Sequence, residues 1–462
     1  MGETVTKNRG FYIWIMQKKY EECFFMYREM EKKNRGMNPG IIMGYTSDLD
    51  AVADWDADKL NQLITDCGLE EITFRDGETI NNMQDFCRIL CYFAIHGLGG
   101  EIALTSQEVV EEIEKHFQVS YSPGGTCAQG AAAMGELGIP VLAHFTDRSE
   151  AVMSFPYYKN IFSVKDGVPV PMPDCVTEKK PLLHLIIQYS RGDVICVCGK
   201  EYTVPVSNRL ILVYDEVHRY VPIGEDFKAY TEEHAKEYCL YNISGFNAIR
   251  DEEVMAGKIA ELKDHFRKIK EKNPEMTIYY ESAHFHNYKV RNQLYKEVPD
   301  FADILGMNEE ELEDIARKCG IAVDKKAIGS IVLTLDQILR IFPVKGIVMH
   351  SKDYAMYYGE PLEGIDIEKG LIFGQLLAGT RARIGHFAGW EDCRESLSVP
   401  LSEQGMRFAE ELQKMQTRHE TVFVPSRYIS KPLGTIGLGD TFVAGLQLCF
   451  GTFTKSSGGD IA

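Results

Sequence analysis

Short apolar runs of strand length alternate with longer stretches of helical periodicity along most of the chain. Gly40–Tyr45 reads as a buried strand, as do Val141–Phe145, Met276–Tyr280, Ile304–Gly306 and Gly346–His350. Each is a brief continuous apolar run bounded by turn residues, as expected of a strand covered on both faces. Between them lie amphipathic segments of helix length, Val254–Lys270, Glu309–Cys319 and Ile367–Arg383, and a charged helix is predicted over Phe11–Lys33. Strand–helix–strand order with crossovers of this length predicts an α/β fold: a mostly parallel central sheet flanked by helices.

Two stretches break that rhythm. Residues 53–122 and 154–206 lack simple strand–helix alternation, and the second is rich in β-formers at Pro181–Tyr189, Val194–Cys198 and Glu201–Pro205. They read as two insertions that jointly form a smaller β-rich lid. The large domain then comprises 1–52, 123–153 and 207–462. At about 150 residues per domain the length alone suggests three domains; the pattern reduces these to two. The tail Thr454–Asp460 is expected to fray.

Acidic residues outnumber basic ones by 68 to 50, a formal net charge of −18. Such a surface repels nucleic acid and anionic membranes, so neither is expected as a partner, while a small anionic ligand in a local basic pocket remains open. No apolar stretch reaches the roughly 18 residues a membrane helix needs. The twelve cysteines include no Cys-x-x-Cys pair. They read as buried free thiols of a cytoplasmic protein.

Phosphate-loop, His-Glu-x-x-His, Gly-x-Ser-x-Gly and dinucleotide motifs are all absent. The informative segment is Gly437-Leu438-Gly439-Asp440-Thr441. Glycines flanking one residue allow a tight turn whose N–H groups point into one concavity. A helix predicted from Thr441 onward adds its positive N-terminal end. Asp440 in such an anion hole suits a base that takes the proton of an attacking hydroxyl. The same residues also suit a glycine-rich loop with an ordinary aspartate cap. Asn308 and Glu311 fall one turn apart on one helix face, where oxygen ligands could hold Mg²⁺, or could simply form an acidic first turn.

Thr435–Thr441, preceded by Val424-Pro-Ser-Arg427, resembles the C-terminal signature of the ADP-dependent sugar kinases. These are the glucokinase and phosphofructokinase branch of the ribokinase-like superfamily. Further segments resemble the family in order along the chain. The resemblance implies a ribokinase-like large domain, with Asp440 as base and Gly437, Leu438 and Gly439 as the anion hole. It implies one Mg²⁺ per site, held through Glu281, Asn308 and Glu311. Tyr279 stands where the family has histidine; nearby His284 and His286 read as residues satisfying local hydrogen bonds. On the sugar side it implies Asp48 (replacing an asparagine), Asp50, the Gly124-Gly125 turn, His184 and Asn247. For ADP it implies Arg209, His350 and Tyr354. The helix Gly374–Ala382 reads as structural.

The activity so implied is transfer of the β-phosphoryl group of ADP to a sugar hydroxyl, giving AMP, in a cytoplasmic monomer or small homo-oligomer of glycolysis. Glu101 is the candidate contact for glucose and Arg191 for the phosphate of fructose 6-phosphate, and the sequence leaves the acceptor open. An ATP-dependent ribokinase-like sugar or nucleoside kinase is the alternative within the fold. A catalytically inactive sugar- or nucleotide-binding protein is the alternative from another class.

Overall fold

The computed structural model describes residues 2–451 except 76 and 286, so the tail Thr454–Asp460 and His286 lie outside the described residues. A ten-stranded sheet runs through the larger body. In spatial order its strands are Glu420–Pro425, Tyr354–Gly359, Gly346–His350, Ile304–Asn308, Thr277–Glu281, Leu240–Ile243, Ile41–Gly44, Leu142–Ala143, Phe162–Lys165 and Val168–Pro171. From Gly346–His350 across to Phe162–Lys165 every neighbouring pair is parallel, and antiparallel strands close both edges. The inner strands are buried residue by residue, which is why they read as continuous apolar runs rather than alternating ones. Helices cover both faces and define two cores. One packs Glu252–Lys272 and Ile328–Ile341, the other Ile367–Ile384 and Leu438–Leu446.

A second, five-stranded sheet has the order Gly100–Ala103, Asn208–Tyr214, Leu183–Tyr189, Asp48–Ala53, Val119–Gly124. Alternation along its strands separates two faces. Leu49, Ala51, Leu185, Ile187, Leu210 and Leu212 are buried in the core shared with helices Ala57–Asp66, Met83–His96 and Gln107–His116. The other face carries the polar residues Asp48, Asp50, His184, Gln188 and Arg209, interspersed with Ile186 and Ile211. Val194–Val197 and Lys200–Thr203 form a separate hairpin.

The sheets divide the chain at points other than the expected boundaries. Asp48–Val52 and Asn208–Tyr214, assigned to the large domain, belong to strands of the small sheet, and the strands within Phe162–Pro171, assigned to the lid, extend the large one. The segment 53–122 contributes mainly helices. Periodicity identifies a strand but not the sheet it joins, because pairing partners are distant in sequence.

Helix Leu438–Leu446 is pressed against Ile367–Ile384 through a glycine contact. A Cβ built at Gly445 would lie 2.8 Å from the Gly374 Cα. Gly445→Val is therefore expected to lower unfolding stability by about 2–3 kcal/mol, measurable by denaturant titration; an unchanged midpoint would refute this close approach.

Candidate active site

The turn before the last helix is the starting point. Gly437 adopts φ 68°, a left-handed conformation costly for any residue with a side chain. A Cβ there would also meet the Gln129 Oε1 at 2.5 Å and the Arg381 guanidinium at 2.8 Å. The helix begins at Leu438 rather than at Thr441, and the Thr441 N–H already bonds the Gly437 carbonyl. The unpaired first-turn amides thus belong to Leu438, Gly439 and Asp440, and the positive end of the helix starts within the glycine motif. Leu438 and Gly439 line a cavity of about 490 Å³. The Thr126 side chain lies beside the Asp440 carboxyl and favours its ionised form. Burial raises Asp440 to about 6, against the nearby Arg381 guanidinium and with the Glu281 charge.

Glu281 ends its strand beside Gly306 of the next one. Its carboxylate accepts from Tyr279 Oη at 3.0 Å and pairs with His350 Nε2 at 2.9 Å. Gly306 leaves room for this pair, since a Cβ there would collide with both Tyr279 and Glu281. Glu311 accepts the Asn308 N–H at 2.9 Å, completing a capping box. Burial, then the Glu281 charge, raise Glu311 to about 7. Asn308 lines the same cavity, but its amide oxygen is spent on the N–H groups of Glu310 and Glu311. That makes Asn308 a helix cap.

His350 lines the 490 Å³ cavity, its ring stacked on Phe442 with centroids 4.7 Å apart. Burial alone would lower it, yet the Glu281 carboxylate outweighs burial and raises it. Tyr354 does not face this cavity. It is buried against Phe408 and Phe423, with its hydroxyl on the Met349 sulfur, because the strand turns its ring to the opposite side. Ser351, Lys352 and Gln375, which the sequence reading passed over, line the cavity instead. Arg209 lines neither cavity described here; it is exposed at the start of its strand, on the face of the small sheet that carries Asp48.

A second cavity, about 390 Å³, lies between the two sheets and is lined by Asp48, Glu101, Gly125, His184 and Asn247, all expected from the sequence. Asp48 and Asp50 project from the same strand face and close on Gly124, where a Cβ would collide with Asp48. His184 Nδ1 is 3.3 Å from Asp48 and its Nε2 is 3.6 Å from Asp215. Asp215 also contacts His218, whose Nε2 reaches Thr146 Oγ1 at 2.6 Å. Burial alone would lower His184, but Asp48, Asp215 and Asp50 raise it to about 10. Burial and the adjacent Asp48 charge push Asp50 well up. Asp48, His184 and His218 are close enough to hold a cation. The nitrogens of both imidazoles lie near oxygens of Asp48, Asp215 and Thr146, while Asp48 Oδ1 and His184 Nε2 have no hydrogen-bond partner among the described residues. Arg191 lies exposed outside the cavity, in the turn that carries the chain from strand Leu183–Tyr189 of the small sheet to the separate hairpin. Arg219 and Arg250 line the cavity in its place. Both sit in loops after strand ends, where periodicity gives no signal.

Residues 39–447 match the conserved region described as ADP-specific phosphofructokinase/glucokinase. The chain belongs to this family. An ADP-dependent glucose/glucosamine kinase of Pyrococcus abyssi is 23% identical over 90% of this chain and 96% of its own length. An ADP-specific phosphofructokinase of Pyrococcus horikoshii is 24% identical over 90% and 98%. Among solved structures, an ADP-dependent kinase in complex with fructose 6-phosphate and ADPβS superposes with a TM-score of 0.74 at 21% identity, covering 95% of this chain and 98% of that one. The fold is shared.

Two departures from the family pattern acquire physical explanations. Tyr279, in the place of histidine, still donates a hydrogen bond to Glu281. Asp48, in the place of asparagine, faces His184, whose raised pKa keeps a counter-charge beside the extra carboxylate. Partners that orient a metal-binding carboxylate are typically worth 10–100-fold in metal affinity or activity. Tyr279→Phe should therefore raise the divalent-cation concentration for half-maximal activity about tenfold, read by cation titration at saturating substrates. An unchanged titration would remove Tyr279 from this role.

Proposed function

We propose that this family member transfers the β-phosphoryl group of ADP to a sugar hydroxyl, releasing AMP. Asp440 carries the reading: it stands at the seam between the two cavities, next to Leu438 and Gly439 of one and beside Thr126 of the other. The 490 Å³ cavity with His350, Lys352 and Gln375 takes the nucleotide. The 390 Å³ cavity takes the acceptor, with Asp48, His184 and Asn247 of its lining accepting and donating hydrogen bonds to hydroxyls and Asp50 buried behind Asp48. Asp440 accepts the proton of the acceptor hydroxyl as its oxygen bonds the β-phosphorus, and the bond to the AMP oxygen breaks. The amides of Leu438 and Gly439 hold the phosphoryl oxygens meanwhile.

The oxygen donors Glu281, bonded by Tyr279 and His350, and Glu311, raised to about 7 by burial and the Glu281 charge, fit one Mg²⁺. Bound there, the ion would neutralise phosphate charge. Fructose 6-phosphate is the acceptor that Arg219 and Arg250 support, since guanidinium groups suit a phosphate. Glucose is the second reading, supported by Glu101 in the same cavity. The small sheet with its three helices acts as a lid, and Arg209 on the same face as Asp48 reaches the ADP phosphates when it closes. The free thiols of all twelve cysteines fit a cytoplasmic enzyme, and its product suits glycolysis.

Steady-state rates with ADP or ATP, each paired with fructose 6-phosphate or glucose at saturating Mg²⁺, test the reading directly. Turnover with ATP alone, or with no sugar, would overturn it. Asp440→Asn is expected to lower kcat by about 10²–10⁴-fold while ADP affinity changes little. A base must be ionised to act, and Asp440 is raised to about 6. The wild-type rate should therefore fall about tenfold per pH unit below that value and flatten above it; a flat acid limb down to pH 5 would exclude Asp440 as the base.

A further inference from the structure

The acceptor side and the phosphoryl side are joined by two buried side chains that touch neither cavity's reacting groups. Gln129, on helix Thr126–Glu136, donates through Nε2 to the Pro123 carbonyl at 2.6 Å. Pro123 immediately precedes the Gly124-Gly125 turn. The Gln129 Oε1 accepts from Arg381 at 2.6 Å. Arg381 in turn donates to the Gly437 carbonyl at 3.0 Å and to Thr441 Oγ1 at 2.7 Å. One chain of hydrogen bonds therefore runs from the carbonyl before the acceptor turn to the carbonyl that opens the anion-binding turn.

Both residues are deeply buried, Gln129 at 2% and Arg381 at 9% exposure. The amide of Gln129 can point only one way: its nitrogen must meet a carbonyl and its oxygen a guanidinium, and a flipped amide would lose both bonds. A guanidinium in this interior is expensive, as burial lowers Arg381 to about 10, and an apolar side chain would fill the space at less cost. Packing on the Phe387 ring, 4.1 Å away, offsets part of that cost but uses only the guanidinium face. The edge is committed to the Gly437 carbonyl, Thr441 Oγ1 and the Gln129 amide oxygen. Gly437 has no side chain, so its carbonyl is the handle by which the turn is held.

We propose that Gln129 and Arg381 are positioning residues that couple the acceptor turn at Pro123–Gly125 to the phosphoryl-binding turn at Gly437–Gly439. Seating the sugar against Gly124 and Gly125 then fixes the amides that receive the phosphoryl group, and nucleotide binding pre-forms the acceptor turn by the same amount. The proposal rests on the kinase reading for the identity of the two ligands, but its test is a binding measurement.

The affinity of ADPβS with Mg²⁺ is measured by calorimetry with and without saturating fructose 6-phosphate, and again with glucose. The wild-type protein is expected to bind the nucleotide at least about fivefold tighter when the sugar is present. Gln129→Glu keeps the shape and the bond to Arg381 but cannot donate to Pro123. Gln129→Leu removes both bonds without adding charge. Both variants should bring the ratio to about 1 and lower kcat about tenfold, while each ligand alone binds within about threefold of wild type and thermal melting is retained. Arg381→Lys, which keeps the charge but not the fork, should do the same. The proposal is overturned if the ratio is 1 in the wild type, if it survives in Gln129→Leu, or if only Gln129→Glu abolishes it, since that would be an effect of charge. It is also overturned if both single-ligand affinities fall with melting temperature, the mark of a merely structural pair. Failure of the wild type to phosphorylate any sugar would sink the kinase reading alone; the ratio would still decide the bridge.

Discussion

Negative charge crowded into one interior place is the constraint on which this structure turns. Glu281, Glu311 and Asp440 come from one strand end and two helix starts, and burial and mutual repulsion hold Glu311 and Asp440 above the ordinary carboxylate range. Such a cluster is stable only if surrounding groups answer it. Tyr279 and His350 bond Glu281, the Asn308 amide N–H bonds Glu311, and Thr126 and Arg381 attend Asp440. The helix end at Leu438 adds its partial positive charge in the same place. The parallel sheet makes the convergence possible, because it brings neighbouring strands to an end on one side, where loops from distant parts of the chain meet.

An acidic protein that handles anionic substrates has to solve its electrostatics locally. The net charge of −18 gives no general attraction for a nucleotide. The positive groups that line the cavities are the helix-start amides, Lys352, Arg427, Arg219 and Arg250. Charges set in recessed walls act through a lower effective dielectric than charges on an exposed surface, so a few suffice.

The small sheet shows how one strand can serve folding and chemistry together. Along Asp48–Ala53 the odd positions Leu49 and Ala51 enter a core, while Asp48 and Asp50 face the cleft. Two adjacent carboxylates would repel if left alone. His184, opposite Asp50 in register, supplies the compensating charge, and Asp215 and His218 hold it from behind. The asparagine-to-aspartate departure is tolerated here because a partner on the neighbouring strand answers it.

Much of this was legible in order along the chain. The inner parallel strands, the glycine turn, Asp440, Glu281, Glu311 and, in the second cavity, Asp48, Glu101, Gly125, His184 and Asn247 carry local signatures, since a buried strand, a left-handed glycine and a helix cap are set by a few consecutive residues. The residues misplaced from sequence share a different property. Tyr354 turned into the core, Arg191 lay in a solvent turn, and the lid boundaries missed which sheet each strand would join. Arg381, Gln129, Asp215 and His218 gave no signal, because their meaning lies in partners across the fold, from three to more than 250 positions away. The amino-acid sequence by itself determined the elements, the chemistry available and the family. Only the tertiary structure decided which side chains meet, because a hydrogen bond or a buried charge pair depends on distance in space, and the strand order that brings these groups together is set by packing the whole chain at once.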